Sequence, residues 1–181
     1  MIGLTYALAL GGVTDFSFVQ EDDLWRGSEV HRIIELLAKQ TLDRKSVPKE
    51  LAGYLAAFES FTRETSFVPL EIEKRVECKT LGIRGRMDFS GLLHGRKTVL
   101  EVKTGEIAPA AALQTALYGH LLDKAIWWNR AGLRVFPDGS YKMKVWRLMQ
   151  WPEDLSTALS VVRVAMWKQK HGLDGQLKGG A

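Results

Sequence analysis

The chain has 181 residues, of which 46% are hydrophobic and 25% charged, a composition typical of one soluble globular domain. Its one cysteine, Cys78, excludes an internal disulfide, a four-cysteine zinc site and an iron–sulfur cluster held by one chain, and it favours a reducing, cytoplasmic location. The apolar start lacks a basic region and no apolar run reaches transmembrane length, so we expect neither a secretory signal nor a membrane span.

The net charge of +4 is concentrated in one stretch of the chain. Residues 75–103 contain seven Lys or Arg and three Asp or Glu, whereas basic and acidic residues are equal in number elsewhere. A positive field around a few acids suits a polyanionic ligand. A solvated basic hairpin is the alternative interpretation.

Two helices are predicted in the first third of the chain. The first runs from about residue 28 to 41 and is capped by Ser28. The second runs from about 48 to 63 with Pro48 in its first turn. Residues 3–26 show no clear pattern, apart from a weak alternation at 14–19 that would suit an edge strand.

From residue 70 the hydrophobic period changes to two, which indicates strands. The remaining predicted elements are strands at 70–76, 82–93 and 97–103, a helix at 109–124, strands at 134–136 and 141–148, and a helix from 152 to about 171. We therefore expect a single domain over 1–173 of mixed α/β class, with a small central mixed sheet flanked by helices. Residues 174–181 are predicted to form a flexible tail.

The turn at His94-Gly95 makes the pairing of two strands predictable. A two-residue loop there pairs Leu93 with Arg96 and places Asp88 directly opposite Glu101. Opposite residues share one face, with Cβ atoms about 4.5–5.5 Å apart. Two carboxylates so placed repel each other, and a hard divalent cation such as Mg²⁺ would remove that repulsion.

The same register brings Arg86 opposite Lys103 on that face. Two carboxylates beside two cations could bind a metal, a phosphate and a water together. A bulge would shift this register by one residue. An ordinary surface hairpin with an Asp88–Lys103 ion pair remains the alternative.

Four motifs in chain order resemble the PD-(D/E)XK nuclease superfamily, most nearly its RecB-like and phage-exonuclease branch. They cover residues 27–118 and are Gly27-Ser28-Glu29-Val30-His31, Gly85-Arg86-Met87-Asp88, Glu101-Val102-Lys103 and Gln114-x-x-x-Tyr118. Met87 stands where the superfamily's name has proline, a common variation. The iron–sulfur cysteines of some RecB-like exonucleases are absent.

The resemblance implies a restriction-endonuclease-like core and a metal-dependent DNA nuclease, in particular an exonuclease of recombination, repair or phage origin. It implies that Mg²⁺ or Mn²⁺ is held by His31, Asp88, Glu101 and the main-chain carbonyl of Val102. Lys103 would position or activate the attacking water, and Gln114 would lie near that lysine and the DNA. Tyr118 would follow one turn later on the same helix face and would contact the DNA. By analogy, the partners are DNA, a recombination protein and further copies of the chain.

Several residues keep a second interpretation. Arg84 and Arg86 would contact DNA phosphates or simply be solvated. His31 could be a partly buried helix histidine, and Tyr118 a core aromatic. Glu71 and Glu73 are expected to face solvent, with the alternative that one of them lies just behind the metal ligands. The pair Trp127-Trp128 is expected to be core or surface rather than a base-stacking platform. A non-catalytic nucleic-acid-binding module and a purely structural α/β domain are the competing functions.

Overall fold

The structure, a computed structural model, describes residues 1–15, 19–122 and 127–174. It confirms the predicted mixed α/β class, because a six-stranded mixed sheet is flanked by helices. The strands are β1 Ile2–Gly3, β2 Val68–Cys78, β3 Ile83–Leu93, β4 Arg96–Lys103, β5 Asn129–Val135 and β6 Tyr141–Trp146. The helices are α1 Leu4–Leu10, α2 Glu21–Ala38, α3 Ala52–Thr65, α4 Ala110–Leu121 and α5 Trp151–Lys170.

Strand β3 organises the sheet because it pairs with three other strands. β2 follows one of its edges antiparallel, from Ile83 to Leu92. The opposite edge is divided between β4, which pairs with residues 89–93, and β1, which pairs in parallel with Ile83 and Arg84. Residues 85–88 of β3 therefore lie where β4 has left the ladder. Beyond β4 the sheet continues through parallel β5 to antiparallel β6.

The predicted register of β3 and β4 is confirmed. Leu93 pairs with Arg96, and the ladder continues in the same register to Phe89 and Leu100. His94 and Gly95 have φ values of 48° and 75°, the pair of positive angles that a two-residue type I′ turn requires. The predicted pairs Asp88–Glu101 and Arg86–Lys103 are not formed, because the ladder ends at Phe89–Leu100. Asp88 and Glu101 are the next residues of the two strands beyond that last pair.

Helices cover both faces of the sheet, as neighbouring residues of β4 demonstrate. Val99 is fully buried against a core that includes Leu117 of α4, together with side chains of α1 and α5. Leu100 is fully buried in a second core that includes Phe58 of α3. Because side chains alternate along a strand, Glu101 and Lys103 follow Val99 to the α4 face.

All nine predicted elements are present in the predicted order, but α2 begins earlier than expected. It starts at Glu21 rather than at residue 28, so Ser28 lies inside the helix and is not its cap. Acidic residues fill the first turn, where they complement the positive end of the helix, and Asp23 accepts a hydrogen bond from the main-chain N–H of Gln20 at 3.4 Å. The helix ends at Ala38 rather than at residue 41.

Other boundaries also differ from the prediction. Pro48 precedes a short 3₁₀ turn, Lys49–Leu51, and α3 begins only at Ala52. β5 is longer than predicted because β4 and β6 pair with it from residues 129 and 130 onward. The sequence pattern did not indicate β1 and α1. The edge strand expected at 14–19 falls partly on 16–18, which lie outside the described residues, as does most of the expected tail.

Within the described ranges, no helix combines the length and the apolarity needed to cross a membrane.

Candidate functional site

Asp88 links β3, β4 and α2 at the point where the two strands separate. Its Oδ2 accepts a hydrogen bond of 2.7 Å from the main-chain N–H of Val102. Its Oδ1 lies 3.4 Å from Nδ1 of His31, which α2 brings over the end of the sheet. Asp88 is only 6% exposed, so its charge is held in place by protein groups rather than by water.

Glu101 is buried beside the lysine and glutamine that were predicted to accompany it. Its Oε1 accepts hydrogen bonds from Nζ of Lys103 at 2.8 Å and from Nε2 of Gln114 at 2.7 Å. Lys103 also donates to Oε1 of Gln114 at 3.4 Å. α4 supplies Gln114 from the face of the sheet that Glu101 and Lys103 share.

The second oxygen of Glu101 lacks a partner. Oε2 is buried and has no hydrogen-bond partner among the described residues, a property that it shares with Oε2 of Glu71 outside the site. Leaving a buried acceptor unpaired costs about 1–3 kcal/mol, and more for a charged group. A cation bound at Oε2 would remove that cost, so the donor set here fits a metal ion.

Glu73 belongs to the same cluster, and its predicted exposure to solvent was wrong. Its side chain is 10% exposed, and one oxygen lies 4.0 Å from Nδ1 of His31. One ligand atom each from His31, Glu73 and Asp88 lie within 4.8 Å of one another. Glu71, by contrast, is half-exposed and pairs with Lys74.

The register of β2 and β3 explains why Glu73 reaches the site. Cys78 pairs with Ile83 across a four-residue loop, and counting back along both strands places Glu73 opposite Asp88. Applying the register argument to this second hairpin would have revealed the residue. The left-handed backbone of Glu73, with a φ of 53°, could not be predicted in this way, because no sequence pattern marks a glutamate with positive φ within a strand.

The charges of His31 and Asp88 stabilise each other. Burial by itself lowers the pKa of His31, but the adjacent Asp88 carboxylate outweighs burial and raises the pKa to about 9. Burial acts to raise the pKa of Asp88, whereas His31, Lys103 and the Val102 N–H together hold that pKa below its ordinary value. Without a metal, the site therefore contains an imidazolium–carboxylate pair near neutral pH.

The other two carboxylates have raised pKa values. Burial, followed by repulsion from Asp88, raises the pKa of Glu73 to about 7 and that of Glu101 to about 7. Burial acts to lower the pKa of Lys103, but Glu101 and Asp88 outweigh it and raise the pKa above its ordinary value. Lys103 is consequently a cation, and burial is the main reason why Glu73 and Glu101 hold protons more readily than exposed glutamates do.

The predicted DNA-binding arginines line neighbouring clefts. Arg86 forms ion pairs with Glu73 and, at 2.9 Å, with Glu35, and it lines a cleft of about 650 Å³ with His31 and Lys103 among others. Arg84 is exposed and lines an adjoining cleft of about 580 Å³, to which Arg86 also contributes. Arg86 and Lys103, which were expected to lie side by side, thus line the same cleft. Arg86 is already paired there with two carboxylates.

Tyr118 does not reach a surface where DNA could contact it. It is 2% exposed, and its hydroxyl donates a hydrogen bond of 2.9 Å to the main-chain carbonyl of Arg86. Its ring packs so closely on Gly85 that a Cβ there would lie 2.7 Å from Cε1 of Tyr118. The predicted DNA contact is therefore replaced by packing, because the ring braces β3 beside Asp88.

No family model and no curated protein matches the chain. Among solved structures the chain is similar to the crystal structure of SSO0001, with 15% identical residues and a TM-score of 0.37. The alignment covers 91% of this chain and 83% of that chain. This likeness is too weak to assign a function.

Proposed function

We propose that this protein is a metal-dependent nuclease of the PD-(D/E)XK type that hydrolyses phosphodiester bonds in DNA. The observation that carries the proposal is the convergence of Asp88, Glu101, Lys103 and Gln114 at the splayed ends of β3 and β4, with Oε2 of Glu101 left unpartnered. A purely structural hairpin has no need of buried acids at such a cost. A metal and a phosphate would use both the acids and the lysine.

The donor set suits Mg²⁺ or Mn²⁺. Asp88, Glu101 and the Val102 carbonyl would supply oxygen ligands, which these hard cations prefer, and His31 would add a nitrogen. Such an ion, when bound, polarises the scissile phosphate and lowers the pKa of a bound water. Glu73 would be a further ligand, because its carboxylate lies with His31 and Asp88 in a group of ligand atoms within 4.8 Å of one another, a group that does not include Glu101.

Lys103 acts as a charged donor in this scheme. Its raised pKa keeps the ammonium protonated, so Lys103 orients the attacking water or neutralises developing charge on the phosphate rather than removing a proton. Gln114 holds both Glu101 and Lys103 through hydrogen bonds, which fixes the lysine relative to the acids. Catalysis would then depend on all three side chains being held together.

DNA is proposed as the substrate on charge and resemblance. The excess positive charge lies within residues 75–103, which contain the site, and Arg84 and Arg86 line its clefts. The proposal includes exonuclease action, a cytoplasmic location consistent with one free cysteine, and assembly with further copies or with a recombination protein.

The decisive experiment is digestion of end-labelled linear duplex, circular duplex and single-stranded DNA with Mg²⁺ or Mn²⁺. Asp88→Asn and Glu101→Gln should abolish cleavage, whereas Glu50→Gln, at an exposed acid of the turn before α3, should not. Loss of linear DNA with survival of circles would identify an exonuclease. DNA binding without cleavage under either metal would overturn the proposal and favour a binding module.

A further inference from the structure

A third cleft, of about 400 Å³, lies at the end of β4 opposite to Lys103. The pairing of Thr98 with Asn129 brings the start of β5 beside the start of β4 there. The described residues that line this cleft, here called the tryptophan cleft, are Arg96, Lys97, Trp127, Trp128, Asn129 and Leu148.

The two tryptophans of the cleft differ in their exposure and contacts. Trp128 is half-buried against the core, and Nζ of Lys97 lies 5.2 Å from its ring centroid in a cation–π contact. Trp127 is 80% exposed. Its ring therefore offers a large flat apolar face on which a planar group could stack.

The polar groups of the cleft select the kind of ligand. Arg96 and Lys97 are exposed cations, and no carboxylate is among its described lining residues. Cations beside a free aromatic face fit a polyanion that also offers flat rings. Single-stranded nucleic acid has both features, because its unpaired bases stack on aromatics while its phosphates contact cations.

We propose that the tryptophan cleft binds a single-stranded segment of the DNA whose scissile phosphate lies in the metal site. A base stacks on Trp127, and Arg96 and Lys97 contact the flanking phosphates. β4 connects the two sites, and its seven residue steps separate them by roughly 23 Å. A duplex would bind there poorly, because its base faces are already stacked. This inference rests on the proposed DNA substrate.

The test is fluorescence anisotropy with a labelled single-stranded oligonucleotide of about 15 nucleotides in EDTA, where cleavage cannot occur. Trp127→Ala should weaken binding about 5- to 100-fold, as expected for the loss of one stacked base. Trp127→Phe should retain most of the affinity. Arg96→Ala with Lys97→Ala should reduce the slope of log K against log salt by about 0.7 for each charge removed.

Matched controls come from exposed residues elsewhere. Trp167 on α5 is 56% exposed and stacks on His171, so Trp167→Ala removes a surface tryptophan outside the cleft. Lys49→Ala removes an exposed charge from the turn before α3. Both controls should bind the oligonucleotide as the wild type does, and equal thermal midpoints would exclude loss of folding in the cleft variants.

Three results would overturn the inference. The first is that Trp127→Ala and Trp167→Ala change the affinity for the oligonucleotide equally. The second is that Trp127→Ala changes the affinities for single-stranded and duplex DNA equally. The third is that Trp127→Ala dissociates an oligomer and leaves DNA affinity unchanged. The last result would assign the cleft to a second copy of the chain. Because binding is measured without metal, this test does not depend on nuclease activity. A protein that binds the oligonucleotide through Trp127 but cleaves no DNA would support the tryptophan cleft and contradict the proposed nuclease function.

Discussion

Asp88 on β3 accepts a hydrogen bond of 2.7 Å from the main-chain N–H of Val102 on β4, just beyond the last paired residues of the two strands. A side chain thus replaces the backbone ladder at this point and keeps the separated strands in register. The opening exposes the end of β4, where Glu101 and Lys103 lie. Replacing Asp88 would therefore disturb the strand geometry as well as the negative charge.

Glu73 is expected to contribute to metal binding although no motif includes it. Glu73→Gln should weaken Mn²⁺ binding about 10-fold, because the change removes a charge within 4.8 Å of the His31 and Asp88 ligand atoms. Isothermal titration calorimetry would measure this. The matched control is Glu71→Gln, two residues earlier on β2, where the carboxylate pairs with Lys74. Identical Mn²⁺ affinities for the two variants would remove Glu73 from the site.

Lys103 is expected to act on the chemical step rather than on DNA affinity. Lys103→Met should lower the single-turnover cleavage rate about 100- to 1000-fold, the usual cost of removing one donor to a developing negative charge. DNA affinity should change little, since Lys103 is one cation among several around the cleft. Lys49→Met serves as the control. Cleavage by Lys103→Met at the wild-type rate would contradict the role assigned to this lysine.

The stability of the metal-free protein should fall as pH rises from 6.5 to about 9. The pKa of His31 is about 9 in the fold against 6.5 when unfolded, so its contribution is fully present below pH 6.5 and is lost above it. The loss should be on the order of 1–3 kcal/mol. Denaturant titrations of EDTA-treated protein at both pH values would measure it.

Two histidine variants test whether His31 causes this pH dependence of stability. His31→Gln should flatten the pH dependence between 6.5 and about 9, whereas His171→Gln, at the exposed end of α5, should leave it unchanged. Added Mn²⁺ should bind more tightly as pH rises, because a metal must displace the His31 proton. A stability that is flat or rising over this interval in the wild type would contradict the described ion pair with Asp88.

Tyr118 is expected to stabilise the fold and not to bind DNA. Tyr118→Phe removes the hydrogen bond to the Arg86 carbonyl and should cost about 0.5–1.5 kcal/mol of unfolding free energy, with DNA affinity unchanged. Tyr141→Phe, which removes an exposed hydroxyl contact with Glu64, should cost less. A Tyr118→Phe variant of normal stability with weakened DNA binding would restore the original prediction.

Local patterns in the sequence were sufficient for the centre of the site. The alternation of β3 and β4, together with a two-residue turn, predicted the register that the structure has from Leu93–Arg96 to Phe89–Leu100. The ladder ends before the predicted Asp88–Glu101 pair, although both acids lie just beyond its last pair. The register was predictable because a hairpin is specified by neighbours in the chain and by the positive φ values that its turn requires. The core face of α3 is likewise encoded locally, because Leu55 and Phe58 recur at helical spacing and both are buried.

The tertiary structure alone decided which other groups surround that centre. Arg86 pairs with Glu35, 51 residues away, and Glu73 turns toward His31 with a φ of 53°. Such contacts depend on how α2 packs over the sheet, and no local spacing records that packing. The same holds for Tyr118, which is buried because its ring occupies the space beside Gly85. The sequence alone determined the paired acids and their lysine, whereas packing determined the cleft around them.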